Sequence, residues 1–446
     1  MNAEPAGPRR TVVELRHEPR TAGRVRRALT TCALLAGLMA AATCARAANV
    51  QRDLVEKGRA EADILWRRGF TLGDTLLDGL LQRTLDTLTV GVPRPEGVAL
   101  RVHVFRSPEL NAFALPDGSI FVFAGLLSTL TDFDQVSFVL GHEAQHALGQ
   151  HALKQMESAN STIALIEAAS FITSLALATS GLSNAGLIDQ FAQLGLGLSA
   201  AAAINGYGRA LERDADLAAV QFLASAGRAP CGGIEAMQAL QLHEEHEPGR
   251  LSNVFWGNHP LLTDRVRYLR EASHAGECTF DSAHVADDYA PHKWPMSKLS
   301  ASLWVTQHES GKALRLANDY GRLFPEDAGM LTTMGDALAE SARPETLALA
   351  VTAYEHARIL APDDRAPLRG LALVAEKRGD STACVRYLER YLEGDAPVRD
   401  RRQFRRKLEA FRARFGAPAL IDSTGAGAAA ADSTASSRSP DPRKED

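Results

Sequence analysis

Residues 132–151 read DFDQVSFVLGHEAQHALGQH, and the organisation of the chain is read outward from them. Asp132 can cap a helix, with Gln135 three positions on as the capping-box partner. Val136, Val139 and Leu140 recur at helical spacing and carry the helix into His142. His142 and His146 are four apart, so they stack on one face and two imidazoles can hold one metal ion. Glu143 sits about 100° round the helix, beside such an ion rather than on it, where a general base belongs.

A catalytic zinc takes three protein ligands and a water, so a third ligand is needed. His151 lies five residues past His146, about 140° round a continuing helix, and cannot join the site if that helix continues. Gly149 fits the metzincin pattern H-E-x-x-H-x-x-G-x-x-H, but its last position is Ala152. A better candidate is Glu212-Arg213-Asp214-Ala215-Asp216, which precedes the helical apolar stretch Leu217, Ala218, Val220, Phe222 and Leu223. Glu212 is a hard oxygen donor. Asp216, one turn on, can accept from the free N–H of a ligating His and fix its tautomer. Alone, these acids read as an exposed helix face; the upstream histidine pair turns them into ligand candidates.

Residues 52–90 read as helices, with Leu76, Leu77, Leu80, Leu81 and Leu85 at helical spacing. Leu100–Phe105 alternates as a strand does. Pro116-Asp117-Gly118 is a turn signature, and Ser119–Phe123 is a second strand expected to pair with 100–105 as a hairpin. The strand Asn111–Leu115, with Asn111, Ala112 and Phe113, offers an edge that an extended chain can join. Residues 168–188 and 190–208 carry no charge. Their length suits two membrane spans, whereas their Gly, Ala and Ser content, with Asn184 and Gln193, suits a soluble helical hairpin or flap.

From about Leu299 the chain turns to short helical segments. Gly335 and Gly370 are 35 apart, and Phe324-Pro325, Ala361-Pro362 and Ala396-Pro397 close segments at spacings of 37 and 35. A period near 34 built of helix pairs resembles the tetratricopeptide repeat, at about two and a half units. Residues 399–414 form an amphipathic basic helix, with Phe404, Leu408, Phe411 and Phe415 on one stripe, that would cap the array. Its charge reads as a solvated face or as a site for an acidic partner. Residues 417–446 lack pattern and read as a disordered tail.

The chain has 446 residues, 45% apolar and 23% charged, which excludes wholesale disorder. Residues 1–47 hold 8 basic and 3 acidic groups; the rest holds 41 and 51. The acidic remainder is a poor non-specific ligand for nucleic acid. Arg9 to Arg27, the apolar run Ala28–Cys44 and the site Ala45-Arg46-Ala47 read as a signal peptide cleaved near Ala47. Cys231, Cys278 and Cys384 then remain. Cys231 and Cys278 can pair in an oxidising compartment, although spacing fixes no connectivity.

Several of these features together resemble the M48 family of zinc metallopeptidases: Asn111-Ala112-Phe113, Gly125-Leu126-Leu127, the H-E-x-x-H ending with His151, Glu212-x-Asp214-Ala215-Asp216, and His259-Pro260 followed by Arg265. A signal peptide before the protease and repeats after it resemble a periplasmic branch of that family. Gln145 stands where the family often has a small or apolar residue, and Asp214 where it usually has Glu. The resemblance implies zinc ligands at His142, His146 and Glu212, Glu143 as base, and His259 near the metal, steadying the oxyanion or ligating zinc in a latent enzyme. The expected fold class is α+β, mainly helical: a gluzincin-type zincin domain with a small β-hairpin or sheet, then a tetratricopeptide-like solenoid. The expected domains are a signal peptide (1–47), the protease (48–290), the repeats with their basic capping helix (296–416) and the tail (417–446). The expected function is a periplasmic zinc endopeptidase for unfolded or misassembled envelope proteins, with a chaperone-like assembly role. Its expected partners are polypeptides and, through the repeats, an outer-membrane assembly machine, with peripheral membrane association. The alternatives are a latent protease serving as a repeat-based chaperone or adaptor, and a protease inserted in the membrane through residues 159–208.

Overall fold

The computed structural model describes residues 49–158, 207–246, 262–273, 278, 280–281, 284–393 and 401–415. The leader, nearly all of segment 159–208, His259 and the tail lie outside the described residues. Two compact units divide the chain, Met1–Leu323 and Phe324–Asp446. No helix among the described residues is long and apolar enough to cross a membrane.

The first unit opens with helix α1 over 49–67 and α2, Thr75–Leu88. Asp74 caps α2 by accepting from the Leu76 and Leu77 amides at 3.0 and 3.1 Å. Leu77, Leu81, Leu85 and Leu88 face the core, while Leu76 is 82% exposed, so the apolar stripe is centred one position beyond the Leu76 register.

Strands β1 (Arg101–Phe105), β2 (Ala112–Ala114) and β3 (Ser119–Phe123) form one sheet in the order β1-β3-β2. The expected hairpin of 100–105 with 119–123 is corrected here, because β1 and β3 run parallel. The hairpin is β2–β3, with Phe113 opposite Phe121. Pro116-Asp117-Gly118 closes it: Gly118 has φ +93°, and the Asp117 carboxylate accepts from the Ser119 amide at 3.1 Å. The chain leaving β1 must therefore pass to the far side of the sheet before β3 enters the middle. Residues 70–72 lie along the other side of β1, where the Leu72 amide donates to the Val104 carbonyl at 2.8 Å.

Helices α3 (Ala124–Thr129), α4 (Phe133–Leu148), α5 (His151–Ser158), α6 (Arg209–Ser225), α7 (Gly232–His246) and α8 (Leu262–Ser273) follow the sheet in the first unit. A disulfide joins Cys231 to Cys278, and Cys384 is a buried free thiol. Helices α9 (Ala290–Thr306) and α10 (Ser310–Leu323) also belong to the first unit, although the sequence period places 296–323 with the repeats. The reason is local. The Lys293 ammonium donates to the Ser128, Leu130 and Thr129 carbonyls at 2.5, 2.9 and 3.2 Å, which a cation at the C-terminal end of α3 favours. The Tyr289 hydroxyl donates to the Leu127 carbonyl at 2.6 Å.

The second unit contains α11 (Ala328–Glu340), α12 (Pro344–Leu360), α13 (Ala366–Lys377), α14 (Ser381–Leu392) and α15 (Arg401–Phe415), each packed on its neighbour in sequence. Tyr354, Leu371 and Leu388 lie in its interior. Phe404 and Leu408 bury one stripe of the basic helix α15, whose Arg402, Arg405 and Arg406 face solvent.

Candidate metal centre

The centre is built where α4 crosses α6. Asp132 caps α4, and Gln135 reaches back to Thr131, accepting from its amide at 2.9 Å and donating to its hydroxyl at 3.0 Å. Small residues then let the two helices approach. A Cβ on Gly141 would lie 3.3 Å from the Ala219 Cα, and Ala144 and Ala215 are fully buried. This contact lays Glu212 and Asp216 of α6 against the histidines of α4.

His142, His146 and Glu212 converge, with one donor atom from each within 4.8 Å of the others. Nε2 of His146 is 3.0 Å from Nε2 of His142. Glu212 places one carboxylate oxygen 3.4 Å from His142 Nε2 and the other 3.7 Å from His146 Nε2. Zinc bonds of about 2.0–2.2 Å at tetrahedral angles set ligand atoms roughly 3.3–3.6 Å apart, and the separations of 3.0, 3.4 and 3.7 Å bracket that spacing. Two borderline nitrogens and one hard oxygen, with a fourth position left to water or substrate, are also the donor chemistry of catalytic rather than structural zinc.

Each ligand has its own support. Asp216 Oδ1 lies 2.9 Å from His142 Nδ1 and accepts its proton, leaving the Nε2 lone pair for an ion. Arg265 holds Asp216 through two bonds of 2.8 and 2.5 Å, and the Tyr268 hydroxyl adds a third contact. Glu212 accepts from the Tyr207 amide at 3.0 Å, and the Tyr207 ring stacks on His146 at 4.2 Å. His151 is fully buried against His146. The helix does not continue to His151: α4 ends at Leu148 and Gln150 takes φ +52°, which turns His151 back against His146. Tyr268 and Tyr207 are neighbours that the sequence did not flag, while Arg265 and His151 entered it only as motif residues without a role.

Electrostatics separate the roles. Burial alone would lower the His142 imidazole, but Asp216 and Glu212 outweigh it and raise it to about 9. Burial likewise works to raise the Asp216 carboxyl, and Arg265 and His142 hold it well below the carboxylate range. Glu143 is buried beside the cluster and has no such pair. Its burial pushes it up to about 7, against the charges of His142 and Arg265 and a hydrogen bond from the Ala114 amide. A carboxyl poised near neutrality suits a group that must both accept and return a proton.

That Ala114 contact ties Glu143 to the sheet. Asn111 and Leu115 bond to β3, through Phe123 N–H to Asn111 O at 3.0 Å and Leu115 N–H to Ser119 O at 2.8 Å. Antiparallel alternation then turns the backbone groups of Ala112 and Ala114 toward the outer edge of β2. Asn111, Ala112 and Phe113 are all buried. The Phe113 ring packs among Phe105, Phe121 and Phe123, so it anchors the strand while Ala112 presents polar backbone at the edge.

A His-His-Glu cluster with a buried, proton-competent glutamate beside it is the apparatus of a metallopeptidase. Residues 76–273 match the model of Peptidase family M48, whose members use zinc, and this segment is similar to metalloendopeptidases. "Metalloendopeptidase OMA1, mitochondrial" of Bos taurus is 54% identical over 54 residues, 12% of this chain and 10% of that protein. "Metalloprotease LoiP" of Escherichia coli is 29% identical over 176 residues, 39% of this chain and 63% of that protein. "Metalloprotease YcaL" of Escherichia coli is 28% identical over 182 residues, 41% of this chain and 65% of that protein. The chain thus spans a tenth of the first of these relatives and less than two thirds of the other two.

Proposed function

We propose that the chain is a periplasmic zinc endopeptidase that cleaves unfolded or misassembled envelope proteins. The observation that carries the enzymatic part is the buried Glu143 carboxyl beside three converging ligands and one strand edge. Zinc, when bound, polarises a carbonyl and lowers the pKa of its water toward ~7. Glu143 takes the proton of the attacking water and passes it to the leaving amine. The outer edge of β2 aligns an extended substrate by strand addition. His142, His146 and Glu212 hold the ion, while Asp216 and Arg265 keep His142 in the required tautomer.

The compartment and substrate rest on the sequence. The leader supports export, and the order of leader, protease and helical repeats resembles the periplasmic β-barrel assembly-enhancing protease of Gram-negative bacteria. In this reading the tetratricopeptide-like second unit recruits clients or an assembly machine. His259 acts near the metal, and His259→Ala raises proteolysis if it is a latency ligand.

Digestion of casein with and without a chelator tests the enzymatic reading. Activity is expected to vanish with the chelator, to return with zinc, and to fall about 10²–10⁴-fold in Glu143→Gln with metal content unchanged. Full activity in metal-free protein overturns it. Clients captured by Glu143→Gln in the periplasm and identified by mass spectrometry test the substrate class, and recovery of none but cytoplasmic proteins counts against it.

A further inference from the structure

We propose that His151 and Asp214 form a relay that positions the metal ligand His146. The inference rests on the zinc reading above. Nε2 of His146 faces Nε2 of His142 and the Glu212 carboxylate. A ligating nitrogen carries no proton, so His146 must carry its proton on Nδ1. That Nδ1 lies 2.9 Å from Nδ1 of His151. The His151 nitrogen is therefore the acceptor, and its ring carries its proton on Nε2. Nε2 of His151 lies 3.1 Å from Asp214 Oδ2, which also accepts from Gln145 Nε2 at 2.9 Å. One assignment satisfies the whole chain, from His146 through His151 to Asp214. The opposite one puts an N–H where the ion must sit.

The backbone is shaped for this ring. Gln150 adopts φ +52°, a conformation L residues rarely take, and it turns His151 inward. A Cβ at Gly149 would come within 2.5 Å of His151 Nε2, so the glycine leaves the space the imidazole fills. Tyr207 closes the other face of His146 at an interplanar angle of 17°. The two ligand histidines are thus held differently, His142 by a buried carboxylate–arginine pair and His146 by an imidazole that reaches an Asp214 side chain 51% exposed. His151 and Asp214 are positioning residues, since neither contributes a donor to the three-ligand cluster.

Zinc affinity, measured by competition with a chromophoric chelator on the full chain, tests the relay. His151→Ala is expected to weaken zinc about 10–100-fold, as loss of an outer partner does. Asp214→Ala is expected to weaken it less, and Asp214→Glu to retain wild-type affinity. The double His151→Ala, Asp214→Ala variant should bind no more weakly than His151→Ala alone, because both changes cut one chain. Thermal unfolding of the metal-free Asp214 variants should match wild type. Unchanged affinity in His151→Ala, or additive losses in the double variant, overturns the relay while the wild type still binds zinc. If His151→Ala does not fold, wild-type affinity in Asp214→Ala overturns it. A wild type that binds no zinc overturns the underlying metal reading instead.

Discussion

Asp216 and Arg265 form a buried two-pronged ion pair, with Nε to Oδ2 at 2.8 Å and Nη2 to Oδ1 at 2.5 Å, and both side chains are fully shielded from water. The pair lies directly behind His142, since the same Oδ1 accepts the His142 Nδ1 proton. Stability and metal binding therefore share one carboxylate. Asp216→Asn keeps the shape but leaves a buried guanidinium without its counter-charge, which costs about 3–5 kcal/mol. Zinc affinity is expected to fall about 10–100-fold in the same variant. Thermal denaturation of the metal-free protein and chelator competition measure the two effects separately. Normal zinc binding by the Asp216→Asn variant removes Asp216 from the site.

What the sequence disclosed follows physical lines. His142 and His146, like Glu212 and Asp216, are pairs spaced by four, so helix geometry alone sets each pair on one face. Arg265 is legible only as part of the family motif; its role as partner of Asp216 lies in burial, which an arginine in sequence does not show. The place of His151 beside His146 was open in the sequence, because its angle depended on whether the helix continued, and the helix stops at Gly149 and Gln150. The parallel pairing of β1 with β3 was hidden because strand patterns do not fix strand order: Asn111–Leu115 reads as a strand, but nothing in it says that β3 returns between it and β1. The period places residues from 296 on with the repeats, whereas the Lys293 ammonium and Tyr289 hydroxyl fix α9 to α3.

The Cys231–Cys278 bridge spans 47 positions and joins the start of α7 to the chain beyond α8. Cross-linking a loop of that length restricts the unfolded chain by roughly 4 kcal/mol. Reduction, or Cys231→Ala, should lower the unfolding free energy by about 2–5 kcal/mol. Cys384 is pushed up to about 11 by burial, aided by Glu376, so its thiolate does not compete for the bridge at neutral pH. Denaturant unfolding with and without reductant measures the loss, and equal midpoints discount the bridge.

Glu109 is buried, and burial raises its carboxyl from 4.5 to about 7, with Lys312 opposing the rise. Between those values the folded chain binds more protons at this site than the unfolded chain. The contribution of Glu109 is therefore fully present below pH 4.5 and is lost as pH rises through about 7. Its size is on the order of 3 kcal/mol. Glu109→Gln should flatten the fall in stability between pH 5 and pH 8 and stabilise the protein relative to wild type at pH 8. Urea unfolding across that range tests the sign, and a variant with the wild-type slope rejects the assignment.

In the second unit Tyr354 of α12 is received by two glycines 35 positions apart. A Cβ on Gly335 would lie 2.5 Å from Tyr354 Cε1, and one on Gly370 would lie 2.2 Å from Cζ. The ring cannot withdraw, because its hydroxyl donates to Asp336 at 2.6 Å and Asp336 pairs with Arg369 at 3.2 Å. The period seen in the sequence thus has a packing cause here, since α11 and α13 must both carry no side chain where one tyrosine lies between them. Gly370→Ala should overpack this contact and cost about 1–3 kcal/mol, and Gly370→Ala with Tyr354→Leu should recover part of the loss by vacating the space. Unfolding of the full chain, followed by a probe placed in the second unit, reads both effects. The zinc site of the first unit should bind metal normally in both variants. A Gly370→Ala chain as stable as wild type would show that Tyr354 is not locked between the helices.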